Sequence, residues 1–314
     1  MSDLHDAAET AIHQCLDLRE KESIAVVTDD KRRAIAEALY DVACEVTEDA
    51  TYVQYQPGDQ HGEEPPEPVA AALQAADTFL APTTRSLSHT RARSDACEAG
   101  ARGATLPGIT ERVMVAGLDA DYDAIAEHSA EVKKQVAHAA AVRITTPAGT
   151  DITFDVDGRE WHEDTGIVHE PGTFSNLPAG EVYISPLDAN GTFVVDGTMM
   201  PHGLLAADQK LSFEVEDGHV THISDDAIRS DVEDASADVG RAARNIAELG
   251  IGTNVGVDEL VGSVLLDEKA AGTVHIAIGD DAAIGGDTEA PIHLDGILRE
   301  PTVYADGEEL TLPR

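Results

Sequence analysis

From Ser23 to Leu106 the chain alternates short β-branched, apolar runs with longer helical segments, and this rhythm restricts the fold more than any other feature. Ser23–Thr28 (SIAVVT) is a strand signal ending at Asp29-Asp30, a helix-start pair, and a helix is expected over Arg32–Val46. Thr51–Tyr55 reads as a second strand, and Pro65–Pro68 leads into a helix running through Ala76. Thr78–Ala81 is a third strand, Ser88–Ala99 a helix and Gly103–Leu106 a fourth strand. Strands joined through helices form a parallel sheet with helices covering it.

A long helix expected over Asp119–Ala141 divides the chain, and the pattern then changes. Val142–Thr146, a Pro147-Ala148-Gly149 turn and Asp151–Val156 read as a hairpin, with further strands at Glu181–Ser185 and Thr192–Asp196. Leu211–Glu216 and His219–Ile223 flank Asp217-Gly218, a strong two-residue hairpin signal. Helices are expected over Asp231–Leu249 and Val257–Glu268, then strands at Thr273–Ile278, Pro301–Tyr304 and Glu309–Leu312. A chain of 314 residues suits two domains. The expectation is an α/β domain over 1–141, a parallel sheet with flanking helices, and an α+β domain over 142–314, rich in antiparallel strands.

The chain carries 21 Lys+Arg against 60 Asp+Glu, a net charge of −39. Self-repulsion of this size works against a compact state, and at molar salt a Debye length of about 3 Å screens most of it. The simplest reading is a halophile's surface. The same charge argues against nucleic acid as a partner, since phosphate binding needs cationic surface. No apolar run reaches membrane-spanning length and the start lacks a secretion signal, so the expected compartment is the cytoplasm, with no membrane partner. The three cysteines, Cys15, Cys44 and Cys97, form no CxxC, and Cys15 and Cys44 are expected to be buried free thiols.

GxSxG, P-loop and HExxH motifs are absent, which leaves histidine and carboxylate as the chemical candidates. Gly250–Gly256 (GIGTNVG) has dinucleotide-loop composition, but it follows an expected helix and reads as a helix cap and turn. In TVHIAI, His275 points to the face opposite Val274, Ile276 and Ile278, as a solvated histidine or as a ligand. His293 and Asp295 share a face if their segment is extended and can then converge on one cation, although His162 and Asp164 have the same spacing. Glu248, in the last turn of an expected helix, opposes the helix dipole, a cost that a bound cation would reverse. Glu181 opens a strand and Glu268 ends a helix; taken singly, each reads as a surface acid. Arg85, Arg91 and Arg93, with His89, read as surface ion pairs or as an anion site at a sheet edge.

Together the stretches NLPAGEVYISP, GTFVVDG, ARNIAELGIGTN, DEKAAGTVHIAIG and APIHLDG resemble, in order, the aminopeptidase T / aminopeptidase S family of metallopeptidases. The likeness covers the chain from about Pro147 onward. It implies a homodimer that removes N-terminal residues from peptides at a site of two divalent metal ions, zinc, cobalt or manganese. It also implies the ligand set Glu181, Glu248, Glu268, His275, His293 and Asp295, with Glu268, or else Glu181, as the catalytic proton acceptor. Two departures stand out: the Glu268–His275 spacing is longer than in those peptidases, and their tyrosine shortly after the histidine is absent from GDDAAIGG. The dihydroxypyridine ring-cleaving dioxygenases resemble the same family, and that likeness implies one iron(II) on His275, His293 and Asp295. A non-catalytic metal-binding protein is the third reading.

The charge argument predicts that the midpoint of urea unfolding rises as KCl goes from about 0.1 M to molar concentration. A flat or falling midpoint would count against repulsion as the main surface term.

Overall fold

The computed structural model describes residues 2–314; Met1, the first residue of the expected domain 1–141, lies outside them. The chain forms two compact units, one from the residues up to Ala126 with Asp164–Ala179, the other from Glu127–Glu163 with Gly180–Arg314.

In the first unit α1 (Ser2–Glu9) runs into a π-helical turn, Thr10–Cys15. β1 (Ile24–Thr28), α2 (Arg33–Val46), β2 (Ala50–Gln54), α3 (Glu67–Ala75), β3 (Thr78–Thr83), α4 (Arg91–Glu98), β4 (Arg102–Pro107) and α5 (Glu111–Leu118) follow. The division between units falls within α6 (Tyr122–Val136), which is shorter than the helix expected over Asp119–Ala141. The chain then forms β5 (Ala141–Thr145), β6 (Asp151–Asp155), β7 (His162–Asp164) and β8 (Phe174–Asn176). β8 joins a five-stranded sheet of order β2-β1-β3-β4-β8, whose pairs are parallel. The alternation at Ser23–Leu106 thus gives the parallel sheet it implies.

Arg102 opens β4 with only 3% of its surface exposed. Its guanidinium donates to both Glu22 oxygens at 2.9 Å and to the carbonyls of Leu16 (3.0 Å) and Asp17 (3.2 Å). This buried fork ties the chain before β1 to the sheet. Cys15 is buried as expected, whereas Cys44 is exposed: it lies on the solvent side of α2, whose inward stripe is Ile35, Leu39, Val42 and Ala43.

The second unit adds β9 (Glu181–Ile184), β10 (Asp188–Val195), β11 (Thr198–Met199), β12 (Gly203–Leu204), β13 (Leu211–Glu216) and β14 (His219–Ile223). After these come α7 (Asp226–Val239), β15 (Ile246–Gly252), α8 (Val264–Asp267), β16 (Val274–Gly279), β17 (His293–Leu298), β18 (Thr302–Ala305) and β19 (Glu308–Glu309). Two seven-stranded sheets result, of orders β14-β13-β10-β6-β5-β18-β19 and β12-β11-β17-β16-β15-β9-β7. The mixed architecture expected for the chain, a parallel sheet with helices plus antiparallel sheets, is the one found.

Two helix expectations fail here. The helix expected over Asp231–Leu249 stops at Val239, and Ile246–Gly252 is a wholly buried strand. Only one turn, Val264–Asp267, forms within Val257–Glu268. Ala, Arg, Leu and Glu favour helix locally, but β15 hydrogen-bonds to β9 on one side and β16 on the other, and tertiary pairing overrides weak propensity. Gly250 and Gly252 therefore lie inside a strand and do not cap a helix.

The second unit has one continuous core. Val142, Ile144, Ile152 and Phe154 of one sheet join Val182, Ile184, Leu249, Ile251, Val274, Ile276, Ile278 and Leu298 of the other. These residues alternate along β9, β15, β16 and β17, so the intervening positions all project from the opposite face.

Replacing Arg102 with alanine is expected to lower stability by roughly 2–4 kcal/mol, since it takes the donor from the Leu16 and Asp17 carbonyls and leaves the Glu22 carboxylate only the Arg19 N–H. The Arg102 hydrogen bond holds the Glu22 carboxyl below its usual range. The pair's contribution is therefore full above about pH 4.3, the ordinary Glu value, and fades as pH falls through the lowered one. Urea unfolding of both proteins at neutral pH and at pH 3 checks the size and the sign.

Candidate metal centre

The face opposite the core carries the acids and imidazoles. Register across the sheet sets three rows: Glu181 with Gly252, then Tyr183, Gly250, His275 and Ile297, then Glu248, Ala277 and Asp295. His293 pairs with Gly279 one row further on, on the same face as Asp295. Large polar side chains thus alternate with glycine or alanine, and the small residues leave room for the large ones to converge. The room at Gly250 is filled by a ring: a Cβ there would lie 2.0 Å from Cε1 and Nε2 of His275. At the mouth of β9, Gly180 has φ +125 and its α-carbon faces Asn254 closely enough that a Cβ would fall 2.7 Å from the Asn254 Cβ.

Glu248 stands at the centre. Its Oε1 lies 3.3 Å from His275 Nε2, and its Oε2 lies 3.3 Å from His293 Nε2. Glu181 Oε2 is 3.4 Å from His275 Nε2, and Asp295 Oδ1 is 3.4 Å from His293 Nε2. Two groups of mutually close donor atoms follow, Glu181–Glu248–His275 and Glu248–His293–Asp295, with Glu248 common to both. Five of the six ligands expected from sequence are thus brought together. Glu268, the sixth, belongs to neither group. It caps α8, and its Oε1 lies 2.9 Å from Lys269 Nζ. The Lys269 ammonium also contacts Glu181 Oε1.

The rest of the sequence reading sorts itself around this cluster. His275 is buried, not solvated, and Glu248 sits on a strand, so the helix-dipole argument for it falls. The His293–Asp295 segment is extended, as the shared-face argument requires. Arg91 makes an exposed pair with Glu64 at 3.7 Å, and Arg93 lies over the Phe174 ring at 4.5 Å. Sequence reasoning missed Lys269 and Gly250. Lys269 directly follows Asp267-Glu268, so its sequence neighbours suggest only a surface ion pair.

The cluster is anion-rich, buried at Glu181, Glu248 and His275 and open to solvent at His293. Burial pushes the Glu181 carboxyl up to about 8 against the opposing pull of Lys269 and His275. Burial presses the His275 imidazole toward its neutral form, but the Glu248 hydrogen bond and the Glu181 and Glu248 charges override it and bring it to about 9. His293 is likewise raised, burial being outweighed by Asp295 and Glu248. Glu248 is lowered because two imidazoles outweigh its burial.

A divalent cation fits these residues. Glu181 Oε2 is buried and makes no hydrogen bond. His293 Nδ1 donates to the Asp280 carbonyl at 2.7 Å, so that Nε2, which faces Glu248 and Asp295, is the nitrogen a cation would take on displacing its proton. Imidazole nitrogen with carboxylate oxygen suits zinc, manganese or iron(II).

The model of the NicX family, 2,5-dihydroxypyridine 5,6-dioxygenase, matches residues 3–312. The chain belongs to this family. Among solved structures it is similar to the 2,5-dihydroxypyridine dioxygenase of Pseudomonas putida KT2440, with a TM-score of 0.78 and 19% identity over 98% of this chain and 95% of that one. It is also similar to wild-type AmpT of Thermus thermophilus, with a TM-score of 0.70 and 18% identity over 98% of this chain and 97% of that one. No curated protein matches the sequence. The two structural likenesses show a shared fold along nearly the whole chain. Family membership makes this an enzyme fold with a site of metal-ligand chemistry. Among the described residues no helix is long and apolar enough to cross a membrane.

Metal ligation needs neutral imidazoles, whereas His275 holds its proton up to about pH 9 in the metal-free cluster. Metal uptake at neutral pH is therefore expected to release protons, and affinity is expected to weaken as pH falls from 9 toward 6. Calorimetry in buffers of different ionisation enthalpy measures the released protons; uptake without release would contradict the assignment.

Proposed function

We propose that this chain is a metal-dependent hydrolase that holds two divalent cations side by side and removes residues from the N-termini of peptides. The observation that carries the reading is the sharing of Glu248 between two donor triads, one oxygen to each. Charge agrees with it. In the ligating state, with neutral imidazoles and every acid ionised, Glu181, Glu248, Glu268 and Asp295 against Lys269 leave a charge of −3 (four acids, one ammonium), which bound protons offset in the metal-free cluster. A buried excess of this kind is costly unless compensated. Two divalent cations bring +4, which leaves one unit of positive charge for an anionic ligand.

Glu181, Glu248 and His275 would hold one cation, and Glu248, His293 and Asp295 the other. Such cations supply a water of lowered pKa and polarise the scissile carbonyl. The chain's own work is positioning and proton transfer. The Asp280 carbonyl fixes the His293 tautomer, and Gly250 gives the His275 ring its place. Glu268 borders the cluster with one oxygen on Lys269, and burial raises its pKa. It is the group suited to take a proton from water and return it to the leaving amine, with Glu181 next. Short peptides are the substrate class, and a homodimer is the assembly that goes with the aminopeptidase T likeness.

A second reading has its own observation, the dioxygenase family model over residues 3–312. In it His275 of the first triad and His293 and Asp295 of the second would hold a single iron(II), the two-histidine, one-carboxylate set of non-haem iron(II) oxygenases.

Purified chain in molar KCl, stripped and reloaded with zinc, cobalt, manganese or iron(II), is expected to bind two ions and to release N-terminal residues from short peptides. Chelation should abolish release, and His293→Ala should lower it by about 100-fold or more. One iron per chain with oxygen uptake on 2,5-dihydroxypyridine, and no peptide turnover, would replace the hydrolase reading with the second. Metal binding without turnover of either kind would leave a non-catalytic binder.

A further inference from the structure

Lys269 is a lysine 3% exposed in the middle of the carboxylate cluster. Its backbone is clamped: its N–H donates to the Leu266 carbonyl at 3.0 Å, and its carbonyl accepts from Asn254 N–H at 2.8 Å. The stem therefore starts from a fixed point and delivers the ammonium to Glu181 Oε1 and, at 2.9 Å, to Glu268 Oε1. Lysine is almost never fully buried without an ionic partner, and here the partners include a candidate metal ligand.

The two triads are consequently unlike. In the first, Glu181 has one oxygen already on an ammonium, and His275 Nδ1 makes no hydrogen bond to orient its ring. In the second, His293 is oriented by the Asp280 carbonyl at 2.7 Å. Outer-shell support of this kind strengthens a ligand's hold on a metal, and a fixed positive charge nearby weakens it.

We propose that Lys269 is a built-in cation that makes the two metal positions unequal: an ion binds tightly to Glu248, His293 and Asp295, and a second binds weakly and exchangeably to Glu181, Glu248 and His275. The inference rests on the two-cation reading above and deepens it. The charge count explains the size of the effect. Counted in the ligating state, with imidazoles neutral and acids ionised, the cluster with Lys269 is −3, so the first divalent ion brings it to −1 and the second overshoots to +1. Without that ammonium the second ion would bring the cluster to zero.

The test is a titration of the stripped full-length protein with cobalt(II) in molar KCl, followed by calorimetry and visible absorption. Wild type is expected to bind in two steps separated by at least about tenfold in affinity. Lys269→Met should tighten the weak step by about tenfold or more and leave the tight step within about threefold, while Lys269→Arg keeps the wild-type pattern. Glu181→Gln identifies the weak position independently of any effect of the lysine variants on folding: it should abolish the weak step and spare the tight one. Two equal steps in wild type, an unaltered gap in Lys269→Met, or loss of the tight step in Glu181→Gln would overturn the proposal while leaving the two-cation reading standing. Absence of a second bound ion at any concentration would instead remove that reading, and this inference with it.

Discussion

Much of the second unit is organised around the carboxylate of Glu248, which faces His275 with one oxygen and His293 with the other. That geometry requires β15 to lie between β9 and β16, so that acids from one side and imidazoles from the other reach a common point. It also requires the strand to be buried, because at 3.3 Å the attraction between carboxylate and imidazolium is strong only where water does not screen it. The placement of Glu181, His275 and Asp295 follows from this pairing register.

The same four strands make both the core and the site. Val182, Leu249, Ile276 and Leu298 are held against the facing sheet, and their alternate neighbours carry the donors. A one-residue slip in any of these strands would exchange the two faces, so packing energy fixes the chemistry. The apolar burial that stabilises the unit is thereby also what holds the polar cluster in place. This explains how a chain of extreme negative charge keeps four more acids in a buried patch: they sit on a scaffold whose other side is dry.

Five of the residues that the fold gathers were assembled as a set only by the family likeness, whereas the parallel sheet and the antiparallel second half were carried by short-range sequence signals. The hairpin at Asp217-Gly218 is an example: both residues have positive φ, as such a turn demands. His293 and Asp295 share a face because strand side chains repeat every second residue. Glu248 shows where local reading stops. ARNIAELG has helical composition, and its strand state comes from hydrogen bonds to β9 and β16, remote in sequence. Lys269 was invisible for a similar reason, since its partner Glu181 lies 88 positions away along the chain. Glu268 was legible as part of the cluster, but its attachment to Lys269 and not to the triads depends on how one short helical turn ends.

Gly250 offers no donor atom and makes no ion pair, yet the volume beside its α-carbon is where the His275 ring lies. An exchange among acids on the donor strands would still leave an oxygen for a cation. A methyl group at position 250 would evict the imidazole itself. In an exhaustive substitution screen this blank position should therefore prove less forgiving than some of the ligands it accommodates. The site is shaped as much by a missing side chain as by those that are present.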